Sequence, residues 1–189
     1  MNNNILKKIA LYIAVLGIPF IGGVIADQVK TTHLTEITQD QNQQLSSLVA
    51  KRLKLAQEFA KTHWNQTLPI DNLTQEKNQL DQLLTQANQL NIDPSQVTNF
   101  FLAQQEAYKM VMIENFDVWV AQDIHQHDQA TDLKSLNQQL NEVDHQILLV
   151  LQKDKGAEFS NKDALKASLA KDLQAQGFSR EVIDAAVHF

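Results

Sequence analysis

The sequence predicts an all-helical bundle, and three features of the 189-residue chain carry that prediction. Glycine and proline are scarce, at five and three residues, and the stretches between them are rich in Leu, Ala, Gln, Lys and Glu, which favour helix. No segment sustains the period-two alternation of a half-buried strand, whereas apolar residues recur at three- and four-residue steps in one segment after another.

Residues 1–26 read as an export signal. Lys7 and Lys8 form a basic start, Ile9 to Ile25 are almost wholly apolar, and Ala26 offers a small residue for cleavage before Asp27. An uncleaved anchor is the alternative, because the apolar run is close to the shortest that spans a bilayer. Both place the rest of the chain outside the cytoplasm, periplasmic or secreted. Residues 27–44 are polar and read as a flexible lead-in that turns helical toward Leu45. The remaining residues, 45–189, form the helical domain.

The first helix of that domain carries Leu45, Leu48, Val49, Leu55, Ala56, Phe59 and Ala60 on one face. It should end near Gln66, because the residue before Pro69 is pushed out of the helical region. Two residues on its apolar face are polar. Arg52 lies four residues after Leu48, and His63 lies four after Phe59, so both point inward on one line roughly 16 Å apart. A buried arginine must meet an anion or a dense set of acceptors. Here that means either a ligand or an internal pair, for which Glu76 is the candidate.

Asn72 or Thr74 can cap a second helix with Leu80, Leu83, Leu84, Ala87 and Leu90 inside. Asp93, Pro94 and Gln96 start a third as N-cap, first turn and capping box. Its inner stripe is Val97, Phe100, Phe101, Gln104, Ala107, Tyr108, Val111 and Met112. A fourth follows on Leu133, Leu136, Leu140, Val143, Ile147 and Leu151, with Asn137 beside the stripe and Gly156 as its end. Ser160 and Asp163 open a short helix closed by Gly177, and Ser179 caps a last turn or two.

Composition excludes several functions. Without cysteine there is no disulfide or thiolate chemistry. The net charge is −6, and loss of residues 1–26, which hold Lys7 and Lys8 and no acid, makes it two units more negative. Such a balance argues against nucleic acid and anionic membrane surfaces as partners. Asp123, His125, His127 and Asp128 have zinc or nickel ligand types but lie in a connection without a scaffold, so no metal site is expected. No nucleophile–base grouping or glycine-rich phosphate loop is present.

Arg52-Leu53, Trp64, Leu68-Pro69-Ile70, Glu76, Ile92-Asp93-Pro94, Val97, Phe100-Phe101, Gln104, Ala107 and Lys109 together form an ordered series. In this series the chain resembles the secreted class of all-helical chorismate mutases, which convert chorismate into prephenate. The match runs without gaps from Arg52 to Met112, about a third of the chain, and continues more loosely into the fourth helix. The reaction implied is a concerted rearrangement that needs no cofactor, nucleophile or metal. The enzyme folds a dianion into its reactive shape and stabilises charge on an ether oxygen.

The resemblance also implies a site. The family's first arginine is Arg52, its lysine before the tryptophan is His63, and its aspartate and arginine at the start of the second helix are Asn72 and Gln75. Glu76 is retained. The small polar residue of the third helix is Tyr108, the ether-bonding glutamine or glutamate is Met112, and the fourth-helix arginine falls on Asn137. Arg52 and His63 then hold carboxylate and ether oxygen, and Gln75, Asn137 and Glu76 orient the ring. Lys51, Lys54, Lys61 and Lys109 are expected to lie off the inner face.

Two functions follow. One is a weak or retuned chorismate mutase acting on chorismate or a related carboxylate. The other is a binding or structural protein on the same fold, its cavity relined or filled by Tyr108 and Met112. The sequence admits a homodimer.

Overall fold

A computed structural model describes residues 24–153 and 162–189, with side chains from residue 39. It contains six helices among the described residues: α1 Val24–Gln66, α2 Leu73–Gln89, α3 Pro94–Ala121, α4 Leu133–Lys153, α5 Lys162–Ala175 and α6 Arg180–Ala186. No described helix is long and apolar enough to cross a membrane. The chain divides into units 1–38 and 39–189. The export signal lies outside the described residues apart from its last three, and so do Gly156 and Ser160.

One expectation is corrected at once. The polar lead-in is helical from Val24, in one run of 43 residues. Nothing between Val24 and Gln66 is glycine or proline, and Gln, Lys, Glu and Asp tolerate helix without a buried face.

Within 39–189 four helix ends, those of α1, α2, α3 and α5, share one device. Thr67, Asn91, Asp123 and Gly177 are left-handed, with φ of 53°, 57°, 57° and 84°. The next N–H of each returns to a carbonyl five residues back: Leu68 to His63, Ile92 to Ala87, Ile124 to Trp119 and Phe178 to Leu173. Each is a Schellman closure that satisfies an orphan carbonyl, and three of them turn an apolar residue, Ile92, Ile124 or Phe178, onto the core. Glycine alone takes this conformation without penalty, and a Cβ at Gly177 would meet no atom within 4 Å. Gly177→Ala is therefore expected to cost about 1 kcal/mol through backbone strain alone, read as a thermal midpoint lower by about 2–4 °C.

The helix starts agree with the sequence. Asn72 accepts from the Gln75 N–H, and Ser179 from the Val182 N–H. Asp93 accepts from both the N–H and hydroxyl of Ser95, so the cap is made with Ser95 and the reciprocal capping box with Gln96 is not formed.

The core is continuous. Val49, Leu53, Ala56 and Ala60 of α1 meet Val97, Phe100, Ala107 and Val111 of α3 and Leu136, Val143, Ile147 and Leu148 of α4, all buried. The α3–α4 connection is tied to the end of α1: Trp64 donates to the Ile124 carbonyl at 3.1 Å, Asn65 exchanges two bonds with the His127 backbone, and Thr62 donates to the Thr131 carbonyl at 2.7 Å. Helix α1 is thus bordered by α3 and α4, and its inward polar residues open onto the space among α1, α2, α3 and α4.

Candidate functional site

That space is a cavity of about 60 Å³. Arg52, His63, Asn72, Gln75, Glu76, Tyr108, Met112 and Asn137 all line it, so the helices bring together every residue singled out from the resemblance. Gln79, Gln105 and Lys109 line it as well. Lys109 corrects the sequence reading, which set it off the inner face. It stands one residue beyond Tyr108, and its long stem reaches round to the cavity rim.

Arg52 is 3% exposed, as its place on the apolar face requires. Its partner is not Glu76. The Arg52 Nε donates to Asp144 Oδ1 at 2.9 Å, and Nη1 donates to the Gln104 carbonyl at 2.8 Å. The second oxygen of Asp144 accepts from Gln79 Nε2 at 3.1 Å. Burial pushes the Asp144 carboxyl above its usual range, while Arg52 and Gln79 pull the other way. Asp144 was legible on the same logic as Arg52: it follows Leu140 by four and precedes Leu148 by four, a charge on a buried stripe.

The other polar groups are also engaged internally. Glu76 accepts from the Asn72 N–H at 3.2 Å, and its second oxygen faces Lys109 Nζ at 3.4 Å. Asp71 accepts from the same amine at 3.2 Å. Burial alone would lower the Lys109 ammonium, but bonds and charges from Asp71 and Glu76 hold it above its ordinary value. The Asn137 amide donates back to the Leu133 carbonyl at 2.8 Å.

His63 Nδ1 lies 3.0 Å from the Pro69 carbonyl, which can only accept, so this nitrogen carries the proton. Burial lowers the imidazole below its usual 6.5, partly offset by that bond. The neutral ring therefore prevails at neutral pH. Its contribution to stability is present above pH 6.5 and is lost as pH falls through the lowered folded value, because the unfolded chain binds the proton more readily. His63→Gln is expected to flatten the fall of the thermal midpoint between about pH 7 and pH 5, measured by circular dichroism.

Two residues close the cavity. Met112 is 2% exposed and brings a thioether, with no amide or acid, to the cavity wall. The Tyr108 ring packs edge-on to Phe59 at 5.7 Å and under the Arg52 guanidinium at 5.2 Å. Its hydroxyl is buried without a hydrogen-bond partner. Burial pushes this phenol well above its usual range, so it is a standing donor.

Elsewhere the chemistry is sparse. Among the described residues no three His, Cys, Asp or Glu side chains come together to hold a metal. The His127 ring packs tilted against Trp119 with centroids 4.1 Å apart, and His125 and Asp123 form an exposed pair at 3.5 Å.

No protein-family model and no curated protein matches the chain. Solved structures do. A chorismate mutase from Burkholderia phymatum superimposes with a TM-score of 0.70 at 22% identity, over 79% of this chain and 95% of that one. The fold is the chorismate mutase fold. A second such enzyme, from Burkholderia thailandensis, gives 0.64 at 24% identity, over 77% of this chain and 94% of that one. The similarity covers nearly the whole of each enzyme. Two cations line the present cavity, Arg52 and Lys109, and both are bonded internally: Arg52 to the buried Asp144 behind the wall, Lys109 to Glu76 in the wall and to the exposed Asp71.

Proposed function

We propose that this is a chorismate mutase-like protein in which conversion of chorismate to prephenate is slow, because the cations of the site are paired internally. The observation that carries the reading is that the fold collects Arg52, His63, Glu76, Tyr108, Met112 and Asn137 around one cavity, at the positions the resemblance assigns to substrate contacts. The rearrangement asks the protein to hold a dianion compactly and to meet charge on the ether oxygen, and it asks for no cofactor. Arg52 supplies the carboxylate contact when it turns from Asp144. Protonated His63 supplies the ether contact. Met112 supplies none, and one missing donor of that kind costs about 3–4 kcal/mol of barrier.

The second reading, a non-catalytic ligand-binding or structural protein, is favoured by one observation. A cavity of about 60 Å³ lies well under the roughly 300 Å³ at which ordinary ligand pockets begin. Turnover then requires the side chains to give way. The deciding experiment follows chorismate loss and prephenate formation by the purified full chain at pH 5.5 and 7.5. Slow turnover above background, faster at the lower pH, supports the mutase reading. Its absence at both pH values in a folded sample supports the second.

The partner in both readings is a small molecule, and a homodimer belongs to the proposal as the arrangement to test by light scattering. Export rests on Lys7, Lys8 and the apolar run that follows them. Fractionation of cells expressing the chain should recover it outside the cytoplasm.

A further inference from the structure

Arg52 lines the cavity, and its partner Asp144 is buried behind the lining residues. Both side chains are almost wholly buried, at 4% and 2% exposure, and the guanidinium lies over the ring of Tyr108, another lining residue. A carboxylate from α4 therefore already neutralises the Arg52 guanidinium through its Nε. It is held there by Gln79, which reaches across from α2. We infer that Asp144 is the residue that sets the charge selectivity of this cavity, occupying the Arg52 guanidinium so that carboxylate ligands, chorismate included, are disfavoured.

The physical reason is competition at low dielectric. An incoming carboxylate would have to displace Asp144 and leave that charge buried without its cation, or share Arg52 with it at close range. The surroundings offer no relief. Glu76 and Asp71 add negative charge at the rim, and Lys109 is already bonded to both. The Tyr108 hydroxyl is buried without a partner, a donor that suits an uncharged acceptor. The inference rests on the reading of this cavity as a chorismate mutase-like site, and it names what holds that reaction back.

The test uses the full chain carrying Asp144→Asn and, separately, Asp144→Ser, which leaves more room and still accepts a bond from Arg52. Acetate, small enough for the present cavity, is the anionic probe, with acetamide as its neutral isostere and chloride at matched ionic strength as reference. The wild type should melt at the same temperature in acetate and in chloride. At about ten times its dissociation constant, acetate should raise the midpoint of either variant by about 3–5 °C, and acetamide should not. A merely structural pair would make acetate and acetamide equivalent, which overturns the inference. So does acetate stabilising the wild type as much as the variants. If both variants are unfolded in chloride and remain so in acetate, Arg52 cannot take an outside carboxylate and the inference fails.

Chorismate turnover separates this inference from the reading beneath it. A tenfold or greater gain for Asp144→Asn supports both. A gain in acetate response without turnover keeps the inference and sinks the mutase reading. Turnover by the wild type that Asp144→Asn does not improve keeps the mutase reading and sinks the inference.

Discussion

Replacing Arg52 by alanine is expected to destabilise the protein by about 3–5 kcal/mol, lowering its thermal midpoint by roughly 6–20 °C. The cost arises from what is left behind. Asp144 would keep its burial and its Gln79 bond but lose the guanidinium, and the Gln104 carbonyl would lose its buried donor. A group removed from a ligand site facing solvent would behave in the opposite way, because relieving an unpaired buried cation stabilises the fold. A melt of Arg52→Ala that matches or exceeds the wild type would show that the pair does not hold α1 to α4. The companion variant Arg52→Met with Asp144→Leu removes both charges together and should recover most of the loss, since paired burial gains little over apolar packing. Together the two melts separate the penalty of an orphaned charge from the net worth of the pair.

The largest expected effect on chemistry is a gain. Met112→Gln combined with His63→Lys should raise chorismate turnover by about 100-fold or more, the rate equivalent of restoring one preorganised donor to the developing oxyanion. Met112 lies on the cavity wall, so a glutamine there would bring an amide to the cavity. Lysine at position 63 supplies a fixed cation where the imidazole is held neutral by burial. Initial rates of chorismate loss on folded protein decide the matter. No gain over the wild type would mean that these two positions do not face the reacting bond, and the reading of the cavity as a mutase site would fall with them.

The two expectations act on different parts of one cavity. Arg52 and Asp144 hold its inner wall together, whereas Met112 and His63 determine what that wall can offer a substrate. Changes at the first pair should move stability strongly. Changes at the second should move rate, with smaller effects on melting.

Much of this was legible in the chain before any coordinates. The scarcity of glycine and proline, and the three–four spacing of apolar residues, determined an all-helical protein and the order of its helices, because both are properties of local backbone preference and of one buried face. Asp93 and Ser179 declared their helix starts and Asn72 was one of two candidates for its own, since a cap acts within four residues. The inward position of Arg52 followed from its register with Leu48 and Ala56, and the set of residues around the cavity followed from the resemblance. Their bonding did not. Nothing in the spacing could show that Arg52 on α1 meets Asp144, 92 residues later on α4, rather than Glu76 on α2, because that choice depends on how the helices are rotated against one another. Nor could it show Lys109 reaching the rim, since a long flexible stem escapes the face its Cα occupies. The sequence by itself determined which side chains face inward; only the tertiary structure decided which charges cancel there, because pairing at 2.9 Å is set by the packing of distant segments and not by periodicity within one of them.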